Sequence, residues 1–141
     1  MEQNQEFVTA VAKIKSCQMS ARKMRLVADI IRGVEVEKAL GILKFTTKEA
    51  ARWLDKLLTS AIANWGVLTD EEADDYELVV SAIWVDQGAQ LKRFRPAPHG
   101  RAHRIRKHFC HVTLQVTNTK TLEIREVNEE VAYEEVEETE S

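Results

Sequence analysis

Seventeen residues, Lys92 to His108, hold seven Lys or Arg, three His and no Asp or Glu. Fixed charges at that density repel one another unless a polyanion neutralises them. β-rich sequence lies on both sides, with Leu78-Val-Val-Ser-Ala-Ile-Trp-Val85 before and Ile105 to Val116 after. Two strands joined by a long basic connection imply an extended hairpin. The chain's only two prolines, Pro96 and Pro98, fall inside the connection with Gly88 and Gly100. Proline cannot donate to a strand ladder, so both belong near the tip, which they stiffen.

Alternation along the second strand adds information. Cys110, Val112, Leu114 and Val116 share one face, and Thr113 and Gln115 take the other. That is a strand half-buried against helices. Further out the first parity becomes Arg104, Arg106 and His108, with Ile105 and Phe109 opposite. The apolar face turns basic as the hairpin leaves the body. From Leu78 to a tip near Ala97, about 3.3 Å per residue gives an arm on the order of 60 Å including its root. A bland reading is a solvated, floppy loop, since like-charge blocks are often disordered. The sharper one is a nucleic-acid arm whose Lys and Arg displace counterions from phosphates.

The whole chain has 141 residues and a net charge of −3. Residues 122–141 alone carry −8 and residues 67–77 carry −6, which leaves +11 on the other 110 residues. A basic body therefore bears two acidic appendages. With 44% hydrophobic residues the body can bury a core. We expect one domain over residues 1–121, with the arm at about 78–117 and its tip at about 88–100. The tail, 122–141, is too low in complexity to build a core and is expected to be disordered. It is either a solubilising segment or a polyanion mimic that shields the arm. Asp70 to Glu77 is expected to be a solvent loop facing away from the ligand.

The rest of the body is expected to be mainly helical. Residues 7–14 form a short strand. Ser20 caps a helix over roughly 21–32, with Gly33 just past its end. Met24, Val27, Ala28 and Ile31 make its buried stripe, and Arg22, Arg25 and Arg32 lie on another face. Val36, Ala39, Leu40 and Leu43 mark a second helix. Thr46 and Glu49 form a capping box for a third, which Gly66 stops after Trp65. Leu54, Leu57, Leu58, Ala61, Ile62 and Trp65 are its apolar face. Trp53 and Trp65 are assigned to the core or its edge.

Several function classes fall away. No run approaches the eighteen or so apolar residues of a membrane helix. Residues 1–6 lack the basic and apolar regions of a signal peptide. Two cysteines, Cys17 and Cys110, are too few for a disulfide scaffold and suit a reducing cytoplasm. His99, His103, His108 and His111 lie close in sequence. Only His103 and His111 share strand parity and Cys17 is distant, so no metal site is expected. The basic stretch from Lys92 to His108 has no carboxylate and no phosphate cradle, so no cofactor and no catalysis are expected.

Several motifs in order identify the chain as resembling bacterial large-subunit ribosomal protein twenty-two. They are Met24-Arg-Leu-Val-Ala-Asp-Ile-Ile-Arg-Gly33, Ala39-Leu-Gly-Ile-Leu-Lys-Phe45, Ser60-Ala-Ile-Ala-Asn64 and Val85-Asp-Gln-Gly88. Leu91-Lys-Arg-Phe-Arg-Pro96 and Gly100-Arg-Ala-His-Arg-Ile-Arg-Lys107 complete the set. The resemblance covers roughly residues 8–117. It implies an α+β fold, with a three-stranded antiparallel-type sheet packed on about three helices and a long β-hairpin arm. It also implies a cytoplasmic, ribosomal, non-enzymatic protein that binds 23S rRNA, assists early assembly and lines the peptide exit tunnel with its tip.

Under that resemblance the rRNA-binding residues are Lys13, Lys15, Arg22, Lys23, Arg25, Arg32, Lys92, Arg93, Arg95, Arg101, His103, Arg104, Arg106 and Lys107. The tunnel tip is Leu91, Lys92, Arg93, Phe94, Arg95 and Pro96. In the family, changes in the segment matching Leu91 to Arg93 are linked to macrolide resistance. The chain departs from the family at Ala97-Pro98-His99, where an Arg-Ala pair before the glycine is usual. Expected partners are 23S rRNA, neighbouring large-subunit proteins and the nascent peptide, with no membrane and no homo-oligomer. Two other classes remain: an architectural DNA-binding protein with proline-tipped arms, and an RNA-processing enzyme using His103 and His108.

Overall fold

A computed structural model describes residues 7–120. The expectations for residues 1–6 and for the tail at 122–141 lie outside the described residues. The order of elements is β1 (Thr9–Cys17), α1 (Ala21–Ile31), α2 (Val36–Phe45), α3 (Glu49–Thr69), β2 (Leu78–Pro96) and β3 (Ala102–Asn118). Short 3-10 turns occupy Ala73–Asp75 and Pro98–Gly100. The strands form one antiparallel sheet in the order β1-β3-β2. The helices cover one of its faces, which gives the α+β architecture that the resemblance implied.

The helical stripes follow the expected periodicity. Met24, Val27, Ala28 and Ile31 are buried on α1. Leu54, Leu57, Leu58, Ala61 and Trp65 are buried on α3, with Ile62 and Trp53 at the core's edge. On α2, Val36, Ala39 and Leu43 are buried and Leu40 is half-buried. These faces meet Val80, Ile83, Val85, Cys110, Val112, Leu114 and Val116 from the sheet. Trp65 is fully buried, and its ring tilts against Tyr76 at 5.3 Å. Asn118 ties the sheet's end together. Its Oδ1 accepts from the Val8 N–H at 2.8 Å, and its Nδ2 donates to the Lys120 carbonyl at 2.7 Å.

Gly33 has φ +75°, the left-handed geometry that ends α1. Its N–H donates to the Val80 carbonyl at 2.9 Å, and the Val80 N–H returns to the Val34 carbonyl at 3.0 Å. The end of α1 is thereby pinned to β2.

Four local expectations are corrected. Ser20 precedes α1 but makes no side-chain cap hydrogen bond. Thr46 does not cap α3. Its hydroxyl donates back to the Ile42 carbonyl at 2.7 Å and closes α2, so the cap position of α3 falls to Lys48. Gly66 does not stop α3, which continues to Thr69 and ends on Asp70 in the left-handed region. Aspartate tolerates that conformation better than most residues. Finally, β1 begins at Thr9 and runs to Cys17, because β3 pairs it from Thr9↔Thr117 to Cys17↔Cys110.

Candidate nucleic-acid interface

The hairpin is ordered along its length. β2 pairs with β3 from Leu78↔Asn118 out to Pro96↔Ala102. Ala97 N–H closes the tip on the Arg101 carbonyl at 2.7 Å. His99 and Gly100, with φ +62° and +68°, supply the left-handed turn. Asparagine, aspartate and histidine are the residues besides glycine that most often accept this geometry. The basic connection is thus strand rather than loop, and only residues 97–101 turn the chain.

The ribbon changes character at a bulge. Gln87 faces Cys110 while Gln90 faces His108, so two β2 residues oppose one β3 residue. Gly88 sits there for a steric reason. A Cβ on it would lie 2.9 Å from the Phe109 carbonyl oxygen and 3.1 Å from its carbon. Below the bulge, β3 is buried at Cys110, Val112 and Leu114. Above it every residue of β2 from Leu91 to Pro96 is exposed. Because the extra residue lies on β2, the parity of β3 is unbroken. The face holding Cys110 and Val112 therefore continues through His108 into Arg106 and Arg104, as the alternation implied.

Cross-strand register distributes the cations over both faces. Lys92 faces Arg106 and Phe94 faces Arg104 on one; Arg93 faces Ile105, Arg95 faces His103 and Leu91 faces Lys107 on the other. Arg101 stands at the turn. Phe94 is 71% exposed, beside these cations. Among the described residues, the ion pairs are Arg32–Asp29, Lys38–Glu35 and Lys120–Glu77, and none involves the arm.

The remaining residues of the expected interface lie on the body. Lys13 and Lys15 are exposed on β1, and Arg22 and Lys23 on α1. Arg25 and Arg32 have a structural task as well. Arg25 donates through Nε and Nη2 to the Val85 carbonyl, at 3.3 and 2.9 Å. Arg32 does the same to Ile83 at 3.4 and 3.0 Å, and pairs with Asp29 at 2.7 Å. β2 is an edge strand, and carbonyls two residues apart point to the same edge. The two arginines cover that edge and clamp the root of the arm to α1.

The sequence reading passed over Trp84. Its neighbours Ile83 and Val85 are buried, so Trp84 points to the sheet face away from the helices and is 41% exposed. Thr113 joins it to Lys13 in one row across the three strands. Strand parity alone carried this signal.

The histidines do not converge. His103 and His108 lie on opposite faces of the ribbon, which removes the geometric basis for a shared catalytic role. His111 accepts the Ser16 N–H on Nδ1 at 2.9 Å. Cys17, expected to be distant, is the register partner of Cys110. Both thiols are buried. Burial, and then the neighbouring Cys110, push the Cys17 thiol up to about 12. Among the described residues no three His, Cys, Asp or Glu are grouped to hold a metal.

Fold and arm together define the class: a small α+β body that carries a polycationic β-ribbon. Residues 12–117 match the family described as Ribosomal protein L22p/L17e, and the chain belongs to that family. Its relatives include the large ribosomal subunit protein uL22 of Bacteroides fragilis (strain YCH46), 59% identical over 105 residues, covering 74% of this chain and 77% of the relative. The protein of the same name from Christiangramia forsetii is 59% identical over 106 residues, covering 74% and 78%. That of Flavobacterium johnsoniae is 53% identical over 116 residues, covering 79% and 85%. The chain is accordingly a cytoplasmic ribosomal protein and not an enzyme.

Proposed function

We propose that the chain is a structural protein of the large ribosomal subunit that anchors in 23S rRNA through its arm and the basic face of its body. The observation that carries this reading is the ribbon itself. Seven fixed cations line Lys92 to Lys107 without one carboxylate, on a hairpin that runs beyond the buried core. Lys and Arg bind phosphates by releasing counterions, and RNA held this way needs no base-specific contact. The contact set is the one expected from sequence: Lys13, Lys15, Arg22, Lys23, Arg25 and Arg32 on the body, with Lys92, Arg93, Arg95, Arg101, His103, Arg104, Arg106 and Lys107 on the arm.

Membership of the family supports finer roles within the same proposal. The arm threads RNA segments early in assembly, and Leu91 to Pro96 line the peptide exit tunnel. Nascent peptide and neighbouring large-subunit proteins are then its other partners, and the free protein is monomeric.

Gradient fractionation of lysate across a salt series tests the reading. Co-migration with the large subunit through moderate salt is expected. A free or nucleoid-bound pool would overturn it and favour an architectural DNA-binding protein instead.

A further inference from the structure

We propose that the acidic tail, Glu123 to Glu140, docks along the chain's own basic arm when no RNA is bound, and competes with RNA for it. The proposal rests on the arm being the RNA-binding surface and gives that surface a second, intramolecular occupant. The tail lies beyond the span that matches the family.

Charge is the first argument. The tail's last twelve residues from Glu129 to Glu140 hold seven glutamates and no base, against the arm's seven Lys and Arg. In the arm, Lys92 stands opposite Arg106 and no described carboxylate pairs with either. Like charges directly opposite destabilise a ribbon, so a carboxylate brought there relieves a cost that already exists.

Reach is the second. The described chain leaves β3 at Asn118, at the body end of the ribbon, and Lys120 is fixed there by a 2.9 Å ion pair with Glu77. Running back along β3 from Lys120, the level of Arg101 is nineteen residues away and Glu140 is twenty residues on. At about 3.3 Å per residue both distances are about 65 Å. The tail's contour length is therefore sufficient for Glu129 to Glu140 to reach the cationic stretch.

Local repulsion is the third argument. Glu77 pairs with Lys120 at the point of departure, and Glu35, Glu37 and Asp74 line the same cavity as that pair. They disfavour the body end for a negatively charged segment and leave the arm as the opposite pole. Tethering makes even weak docking effective, because a covalently linked ligand meets its site at an effective concentration of about millimolar.

The test uses the full chain and a full-length variant with all nine tail glutamates neutralised, Glu123→Gln through Glu140→Gln. Amide NMR spectra are compared without RNA at about 0.05 M and about 0.5 M salt, a range over which screening falls below the ion-pair scale. The arm signals from 92 to 107 are expected to differ between the two chains at low salt and coincide at high salt, with body signals unchanged. The variant should then bind a 23S rRNA fragment about tenfold more tightly at low salt, given millimolar effective concentration. Identical arm spectra at low salt would overturn the proposal. Tighter RNA binding with identical arm spectra would also overturn it, because general repulsion then suffices. Altered arm spectra with no RNA binding by either chain would uphold docking and sink the RNA reading of the arm instead.

Discussion

Lys92 faces Arg106 directly across the ribbon, a like-charge pair in register on strands that no core supports at that level. Cross-strand like charges cost the free hairpin a few tenths of a kcal/mol to about 1 kcal/mol. On the proposed reading, phosphate placed between the two would offset that cost. Arg106→Glu should therefore stabilise the free arm by up to about 1 kcal/mol while weakening RNA binding. Arg106→Gln should reduce the slope of log affinity against log salt by about one. Filter binding to a 23S rRNA fragment over a salt series measures both. An unchanged slope would remove Arg106 from the phosphate contacts.

Trp84 should behave differently. Its exposed ring on the open face of the sheet offers stacking, not charge. Trp84→Ala is expected to weaken RNA binding by about 1–3 kcal/mol with the salt slope unchanged. Loss of slope without loss of stacking energy would show that the residue acts only by placing Lys13.

Gly88 holds the bulge where body becomes arm. A methyl group there meets the Phe109 backbone at 2.9 Å, and backbone cannot swing aside as a side chain can. Gly88→Ala should cost about 1–3 kcal/mol, the range of overpacked sites, seen as a lower denaturation midpoint. Amide exchange should speed at Gln87 and Gln90 before it does in α3.

Body and arm should separate energetically, because the core ends where the exposed ribbon begins. Leu57 is 2% exposed within the α3 stripe, so Leu57→Ala should cost about 2–5 kcal/mol. Phe94→Ala, at an exposed arm position, should change stability by less than about 0.5 kcal/mol. Deleting Leu91 to Arg93 should likewise leave the body's thermal midpoint in place. A large drop on that deletion would mean that the ribbon beyond Gly88 contributes to the core.

Period and charge were legible in the sequence; competition and register were not. Met24, Val27, Ala28 and Ile31 announce α1 because only a 3.6-residue repeat puts them on one side. Arg104 and Arg106 share parity with Cys110 because β3 carries no bulge. Thr46 misled because a three-residue link lets one hydroxyl serve either helix, and α2 took it. Gly66 misled because a glycine inside a long, well-packed helix costs only about 1 kcal/mol, less than the packing of its neighbours returns. Arg25 and Arg32 looked like surface cations, since nothing local shows that an edge strand lies above them. The pairing of Cys17 with Cys110 depends on an irregularity in β1 at Ser16, whose φ is +55°, and no spacing rule reaches across that.

That thiol pair gives the chain a specific alkaline limit. Burial and the adjacent Cys110 hold the Cys17 thiol protonated up to about 12, against an ordinary value of 9.0, and burial also raises Cys110. A folded-state value above the unfolded one favours the fold while both states keep the proton. The contribution is therefore complete below about pH 9 and is lost progressively as pH climbs toward 12, because the unfolded thiol ionises first. Denaturation midpoints taken at about pH 7 and about pH 10.5 should fall more for the native chain than for Cys17→Ala, which lacks the titrating group. Neither thiol should react quickly with a thiol reagent at neutral pH until the protein unfolds, because the reactive thiolate is the form that burial suppresses. Equal pH slopes in the two proteins, together with rapid labelling of the folded chain, would show that the Cys17 and Cys110 site opens to water, contrary to the packing of β1 on β3.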